Sequence, residues 1–159
     1  MNFRIGFGYD VHQLKENIPF YLGGIRIQHE KGATGHSDAD VLIHAICDAL
    51  LGAAALGDIG THFPNTSAEY KNIDSKILLK KTLDLVSREG YAIVNIDSTI
   101  SLERPKIKPY IAAMKKVLAD TLSMQENQIS IKAGTNEQMG YVGREEGVCA
   151  YAVLLIEKK

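Results

Sequence analysis

From Gly147 to Ile156 the chain runs ten residues without a charge, and nearly every side chain in that run is apolar. It is too short to cross a bilayer as a helix, which takes about 20 residues. Read as a strand, it must be covered on both faces. A chain containing such a strand is committed to a sheet with layers packed against it.

The remaining patterns supply the other parts of that sheet. Residues 3–12 alternate, with Ile5, Phe7, Tyr9 and Val11 on one side and Arg4, Gly6, Gly8, Asp10 and His12 on the other. Short strands are expected at 20–22 and 25–27, turning at Gly23-Gly24. Residues 38–56 read as a helix on the spacing of Val41, Leu42, Ala45, Ile46, Ala49 and Leu50. Ser37 or Asp38 can cap its start, and Gly57 can stop it. Residues 58–73 read as a loop, and 74–89 as a helix stopped by Gly90. Residues 92–102 alternate again, placing Val94, Ile96, Ile100 and Leu102 on one face. Pro109 suits the first position of a helix ending near Leu122, and strands follow at 129–133 and 147–156. The expected class is α+β: one domain, residues 1–159, with a mixed sheet of about four main strands packed by three helices.

Charge and cysteine usage narrow the function. With 18 basic and 19 acidic side chains the formal charge is −1, which lacks the basic footprint that nucleic-acid binding needs. Met1-Asn2-Phe3-Arg4 leads into a strand pattern and shows no targeting segment. A cytoplasmic protein, not a membrane protein, is expected. Cys47 and Cys149 sit in apolar contexts, form no CxxC pair, and read as buried, reduced thiols. No GxxxxGK[ST], GxGxxG or GxSxG occurs, so triphosphatase, Rossmann and hydrolase-elbow chemistry lack their anchors.

Polar residues gather in a few places. Asp10 and His12 are two apart on a strand and share a face, with Gly6 and Gly8 leaving room beside them. Asp40, His44 and Asp48 are four apart and form a stripe on an apolar helix; a carboxylate one turn beyond His44 could hold its imidazole. The plain alternatives are a strand-end Asp with a solvated His, and a wet helix face. Together, Asp10, His12 and His44 offer one oxygen and two nitrogens. Three protein ligands with a fourth position open is the pattern of a catalytic zinc site, with Mn²⁺, Co²⁺ or Fe²⁺ also compatible. Gly57-Asp58-Ile59-Gly60 would present Asp58 to a ligand hydroxyl, or be a helix cap and surface loop. Lys132 to Glu137 leaves a strand for a polar turn that suits phosphate and a hard cation. Gly143 to Gly147 reads as a surface ion pair by default, and Arg104-Pro105-Lys106 as a charged turn.

The stretches GFGYDVH, GHSDADVLIHAICDALLGAAALGDIG, HFPNT, ERPKIKP and KAGTNEQMGYVGREEGV span essentially the whole chain. In them the chain resembles the 2-C-methyl-D-erythritol 2,4-cyclodiphosphate synthase family of the non-mevalonate isoprenoid pathway. That resemblance implies conversion of 4-diphosphocytidyl-2-C-methyl-D-erythritol 2-phosphate to the cyclic diphosphate with release of CMP, by metal-assisted intramolecular phosphoryl transfer. It implies zinc on Asp10, His12 and His44, and transition-state support from His36 and Thr135. Ser37 would touch the methylerythritol phosphate portion, and Asp58 the ribose hydroxyls. Ile59, Gly60, Phe63, Pro64, Asn65, Thr66 and Ser67 would also line the substrate. Leu102, Glu103, Arg104, Pro105, Lys106, Ile107 and Lys108, with Ala133, Gly134 and Thr135, would form the cytidine pocket. Glu137 would bind a second divalent cation, magnesium or manganese, at the diphosphate. Asn136 and Tyr141 would also contact substrate, and Arg144 would lie near phosphate or the subunit axis. The family implies a homotrimer with sites between adjacent chains. Asn65 and Ser67 depart from the acids common there in relatives, and Gly134 from a common hydroxyl residue. Two rival activities fit the residues alone: a zinc phosphoesterase using water, and a metal-stabilised binder of nucleotides or isoprenoid diphosphates.

Overall fold

The computed structural model describes residues 2–159. The first alternating segment becomes one long strand, β1 (Phe3–Glu16), four residues longer than its periodicity announces. It is followed by a small hairpin, β2 (Phe20–Leu22) and β3 (Ile25–Ile27), and by β4 (Lys31–Ala33). β4 returns antiparallel along the end of β1, pairing Leu14 with Ala33. Three residues are too few to show a period, so the sequence gives no sign of β4.

Helix α1 (Val41–Ala53) begins later and ends earlier than its hydrophobic spacing suggests. Its cap is Asp40, not Ser37 or Asp38: the carboxylate accepts from Ile43 N and reaches across to Gly23 N and Gly24 N at 3.0 and 2.7 Å. Asp40 is fully buried, so the expected polar stripe of Asp40, His44 and Asp48 is not one solvent-facing row. Inside the 58–73 segment lie α2 (Ile59–His62) and a 3₁₀ turn at Ala68–Tyr70. Helix α3 (Ser75–Arg88) is capped by Asp74 and followed by Gly90 at φ 79°. Then come β5 (Tyr91–Ser101), α4 (Ile111–Leu122), β6 (Ile129–Gly134), the single-turn α5 (Gly140–Gly143) and β7 (Gly147–Lys158). Pro109 sits in a 3₁₀ turn that feeds α4.

The main sheet has five strands in the order β4-β1-β7-β5-β6. Only β5 and β6 run parallel, joined through α4; the other neighbours are antiparallel. β7 is central, as its apolar run demands. Its Val148, Ala150, Ala152, Leu154 and Ile156 are buried in the core. Helix α1 lies directly on β1: a Cβ at Gly6 would sit 1.9 Å from the Ala49 carbonyl oxygen, and one at Gly8 1.8 Å from that of Ala45. Only glycine permits this approach.

The other face of the sheet differs from the two-sided burial expected. Ile5, Phe7, Val11 and Val153 are 73, 62, 43 and 45% exposed, beside Tyr9 and Tyr151. Strand register sets Phe7 against Val153 and Tyr9 against Tyr151, so these side chains form one continuous apolar patch. Among the described residues no helix is long and apolar enough to cross a membrane.

Candidate active site

Gly6 and Gly8 decide where the chemistry sits. By letting α1 press on β1, they bring His44 of the helix to Asp10 and His12 of the strand. Asp10 Oδ2 lies 2.8 Å from His12 Nε2 and 3.0 Å from His44 Nδ1, and the two ring nitrogens are 3.0 Å apart. One carboxylate oxygen and two imidazole nitrogens thus converge on a point, part-buried. Burial works to raise the Asp10 carboxyl, but the His12 and His44 contacts win and hold it down at about 2. Burial likewise pulls His12 down, and Asp10 more than offsets it, so the imidazole titrates above 6.5.

The ligand set fits a divalent metal. His12 Nδ1 donates to the Thr34 carbonyl at 3.0 Å, which leaves Nε2 with its lone pair toward the cluster. His44 Nε2 lies 3.0 Å from both Ser37 Oγ and Ser75 Oγ, turning Nδ1 the same way. Two borderline nitrogens and one hard oxygen suit zinc, or another first-row divalent ion. Asp48, one turn on, does not hold His44 as the spacing suggested. Its carboxylate accepts from Ile59 N at 2.8 Å and so fixes the start of α2.

Beside the three ligands opens a cavity of about 370 Å³. It is lined by His12, His36, Ser37 and His44 together with Ile59, Gly60, Phe63, Pro64, Asn65 and Thr66 of the next segment, and by Tyr70 and Leu78. His36 Nε2 donates to the Ser67 carbonyl at 2.9 Å, tying the ring to the 58–73 segment. Asp58 is exposed and caps α2, accepting from Thr61 N and Thr61 Oγ1 at 2.8 and 2.7 Å. Both readings of Asp58 remain physically compatible, because a cap oxygen leaves the second carboxylate oxygen free.

The late-chain candidates lie elsewhere. Strand pairing puts Asp10 opposite Ala150, Ala150 opposite Ile100 and Ile100 opposite Ala133. Ala133, Gly134, Thr135 and Glu137 are therefore at the same end of the sheet, but three strand spacings away, roughly 14 Å. None of them lines the 370 Å³ cavity. Thr135 Oγ1 donates to Glu137 Oε1 at 3.2 Å on an exposed turn. Glu103 braces that turn, accepting from Asn136 N and Gln138 N. Leu102 and Ile107 are buried core side chains, whereas Arg104, Lys106 and Lys108 are exposed and Pro105 is half-buried. Tyr141 OH meets Tyr9 OH at 3.4 Å. Arg144 forms a two-pronged ion pair with Glu146 at 3.1 and 3.0 Å. Neither cysteine is a nucleophile candidate: both are buried, and burial pushes the Cys47 thiol up to about 12.

Sequence reasoning missed Thr34, Ser75 and Asp38. Thr34 holds the His12 ring and Ser75 the His44 ring, and Asp38 holds Ser75, through contacts that no spacing rule encodes. Only the fold brings residue 75 to residue 44.

Comparison with known proteins places this site in context. The YgbB family profile matches residues 3–157. A Bacteroides fragilis protein named 2-C-methyl-D-erythritol 2,4-cyclodiphosphate synthase is 60% identical over 158 residues, 99% of each chain. The Porphyromonas gingivalis protein of that name is 58% identical, covering 97% of this chain and 95% of its own. Among solved structures, the bifunctional IspDF of Campylobacter jejuni superposes with a TM-score of 0.95 at 40% identity. That match covers 99% of this chain and 42% of the bifunctional one. A Plasmodium falciparum IspF in complex with CDP gives 0.88 at 34% identity, covering 99% of this chain and 97% of the other.

Proposed function

The chain belongs to the YgbB family, and on that premise we propose how its own residues close a cyclic diphosphate. It is a cyclodiphosphate synthase, a lyase of the non-mevalonate isoprenoid pathway. The substrate is 4-diphosphocytidyl-2-C-methyl-D-erythritol 2-phosphate. Its 2-phosphate oxygen attacks the β-phosphorus, a new P–O bond closes the ring, and CMP departs with the old one. The attacking oxygen is already anionic, so no strong base is required. The barrier is anion repulsion and the entropy of folding a flexible chain into a ring.

The observation that carries this reading is the convergence of Asp10, His12 and His44 at the mouth of a cavity lined by His36 and Ser37. These three would hold a divalent metal, zinc by donor type, which when bound would supply Lewis-acid neutralisation of phosphoryl oxygens. Ser37 and the 59–66 wall grip the methylerythritol phosphate end. His36, its Nε2 fixed by Ser67, and Thr135 stabilise charge at the reacting phosphorus. Asp58 receives the ribose hydroxyls. Glu137, on its exposed polar turn, would hold a second divalent cation, magnesium or manganese, which would supply charge neutralisation for the diphosphate. The exposed main chain at Ala133 and Gly134 forms the cytidine seat with the segment that carries Lys106, joined to it where Leu102 N donates to the Gly134 carbonyl.

A homotrimer accounts for two features that one chain leaves unexplained. The patch of Ile5, Phe7, Tyr9, Val11, Tyr151 and Val153 is large and apolar for a free surface. The Thr135–Glu137 set stands away from the cavity of its own chain. A closed three-fold ring covers the first and brings a neighbour's late set to each metal cluster. The substrate is then held between chains. Two buried, unpaired cysteines accord with a cytoplasmic setting.

The deciding experiment is phosphorus NMR of the protein incubated with the cytidyl substrate, Zn²⁺ and Mg²⁺. CMP and the cyclic diphosphate should appear together. Linear hydrolysis products would instead identify a phosphoesterase, and binding without turnover a nucleotide-binding protein.

A further inference from the structure

His44 has one ring nitrogen toward the metal cluster and one toward two hydroxyls. Ser37 Oγ and Ser75 Oγ each lie 3.0 Å from Nε2, and 3.4 Å from each other. The two serines are not equivalent. Ser75 is fully buried at the first turn of α3. Its hydroxyl donates to Asp38 Oδ1 in a short contact, and its main-chain N–H donates to Asp38 Oδ2 at 3.0 Å. A serine hydroxyl has a single hydrogen. With that hydrogen given to Asp38, Ser75 Oγ can only accept from His44. Nε2 must therefore carry the ring hydrogen, and the lone pair must sit on Nδ1, facing Asp10 and His12. Ser37 has no acid behind it. Its oxygen accepts from Ala39 N at 3.2 Å, and its hydrogen stays available to the cavity it lines.

We propose that Asp38 and Ser75 are positioning residues that lock the His44 ring into its metal-binding tautomer and orientation, and so free Ser37 to spend its hydroxyl hydrogen on the substrate. Asp38 is itself set by the chain around it: its N–H donates to the Ile73 carbonyl, and Asn72 N to the His36 carbonyl. The strap 36–38 and the entrance to α3 thus form one rigid clamp behind the imidazole. Carboxylate-backed partners of metal-binding histidines act in this way generally, and losing one typically costs 10–100-fold in metal affinity.

The inference rests on the metal-centre reading above. Its test is Zn²⁺ affinity measured by chelator competition on the full chain, apart from any turnover. Ser75→Ala and Asp38→Asn should each weaken Zn²⁺ by about tenfold or more. The double variant should lose little beyond Ser75→Ala, because the two act in series. Ser75→Thr, which keeps the hydroxyl, should restore binding, as a loss caused by misfolding would not allow. Ser37→Ala should bind Zn²⁺ within about twofold of wild type while raising KM for the substrate. Wild-type affinity in both Ser75→Ala and Asp38→Asn, additive losses in the double variant, or the main loss falling on Ser37→Ala would overturn the proposal. A wild-type chain that takes up no divalent metal would bring down the metal centre itself, a distinguishable failure.

Discussion

Asp40 shows how much one side chain can carry away from the chemistry. Its carboxylate accepts from three N–H groups: Gly23, Gly24 and Ile43. It ties the start of α1 to the hairpin turn whose glycines stand at φ 61° and 79°. Asp40→Ala orphans those donors in a buried place and removes a helix cap, so a loss of roughly 2–4 kcal/mol is expected. Denaturant unfolding measures it directly. A change below about 0.5 kcal/mol, the usual range for an inconsequential surface substitution, would contradict the assignment. Asp10 and His12 make a second prediction, in pH. Asp10 is lowered from 3.8 to about 2, so its stabilisation of the metal-free chain is present above 3.8 and lost as pH falls toward 2. His12 is raised above 6.5, so its share is present below 6.5 and lost as pH rises through the folded value. Zinc binding runs the other way across that second window, because a ligating imidazole must shed its proton. The rise in melting temperature on adding Zn²⁺ should therefore be larger at about pH 8 than at about pH 5.5. Equal shifts at the two pH values would show that His12 is not a ligand.

At the scale of elements, the packing of α1 on β1 sets the convergence of Asp10, His12 and His44. Gly8 lies two residues before Asp10 on the strand, under Ala45 of the helix and one residue from His44. Gly8→Ala forces a Cβ to 1.8 Å from a main-chain oxygen that cannot rotate away. The helix has to lift, at a cost of about 1–3 kcal/mol by the usual scale of overpacking. Because His44 travels with the helix, Zn²⁺ affinity should fall as well, although no ligand has been touched. Calorimetry with a parallel Zn²⁺ titration reads both. A destabilised protein that still binds Zn²⁺ with wild-type affinity would mean the cluster is not governed by this contact.

For the whole molecule, the question is which chain completes which site. Asp10 and Ala133 share a row of the sheet but stand three strands apart. An inactive His44→Ala chain mixed with an inactive Glu137→Ala chain, after dissociation and reassembly, should recover part of the wild-type activity if sites are shared. No recovery despite proven mixing, or a monomer by sedimentation at working concentration, would remove the shared-site assembly. The apolar patch offers an independent handle. Val153→Lys places a charge in its middle, far from any metal ligand, and should leave the chain folded but dissociated.

The sequence by itself determined the class of the fold, a strand over residues 147–156, the bounds of α3 within a residue and the three groups, Asp10, His12 and His44, that converge as a candidate metal cluster. Period and composition act locally, so they survive translation into structure: an apolar run flanked by turns becomes a strand, and an alternating strand exposes one side. Which side faces inward was another matter. The apolar side of β1 looks like the core side in the sequence, but Gly6 and Gly8 let α1 sit against the opposite face, and the hydrophobic row is left exposed. The reach of Asp40 to Gly23 and Gly24, the diversion of Asp48 to Ile59, the strand β4 and the Asp38–Ser75 support of His44 depend on contacts between residues 11 to 37 positions apart. No local pattern encodes them, because they arise only when packing has fixed the distances between elements. Tertiary structure alone chose the nitrogen with which His44 faces the cluster.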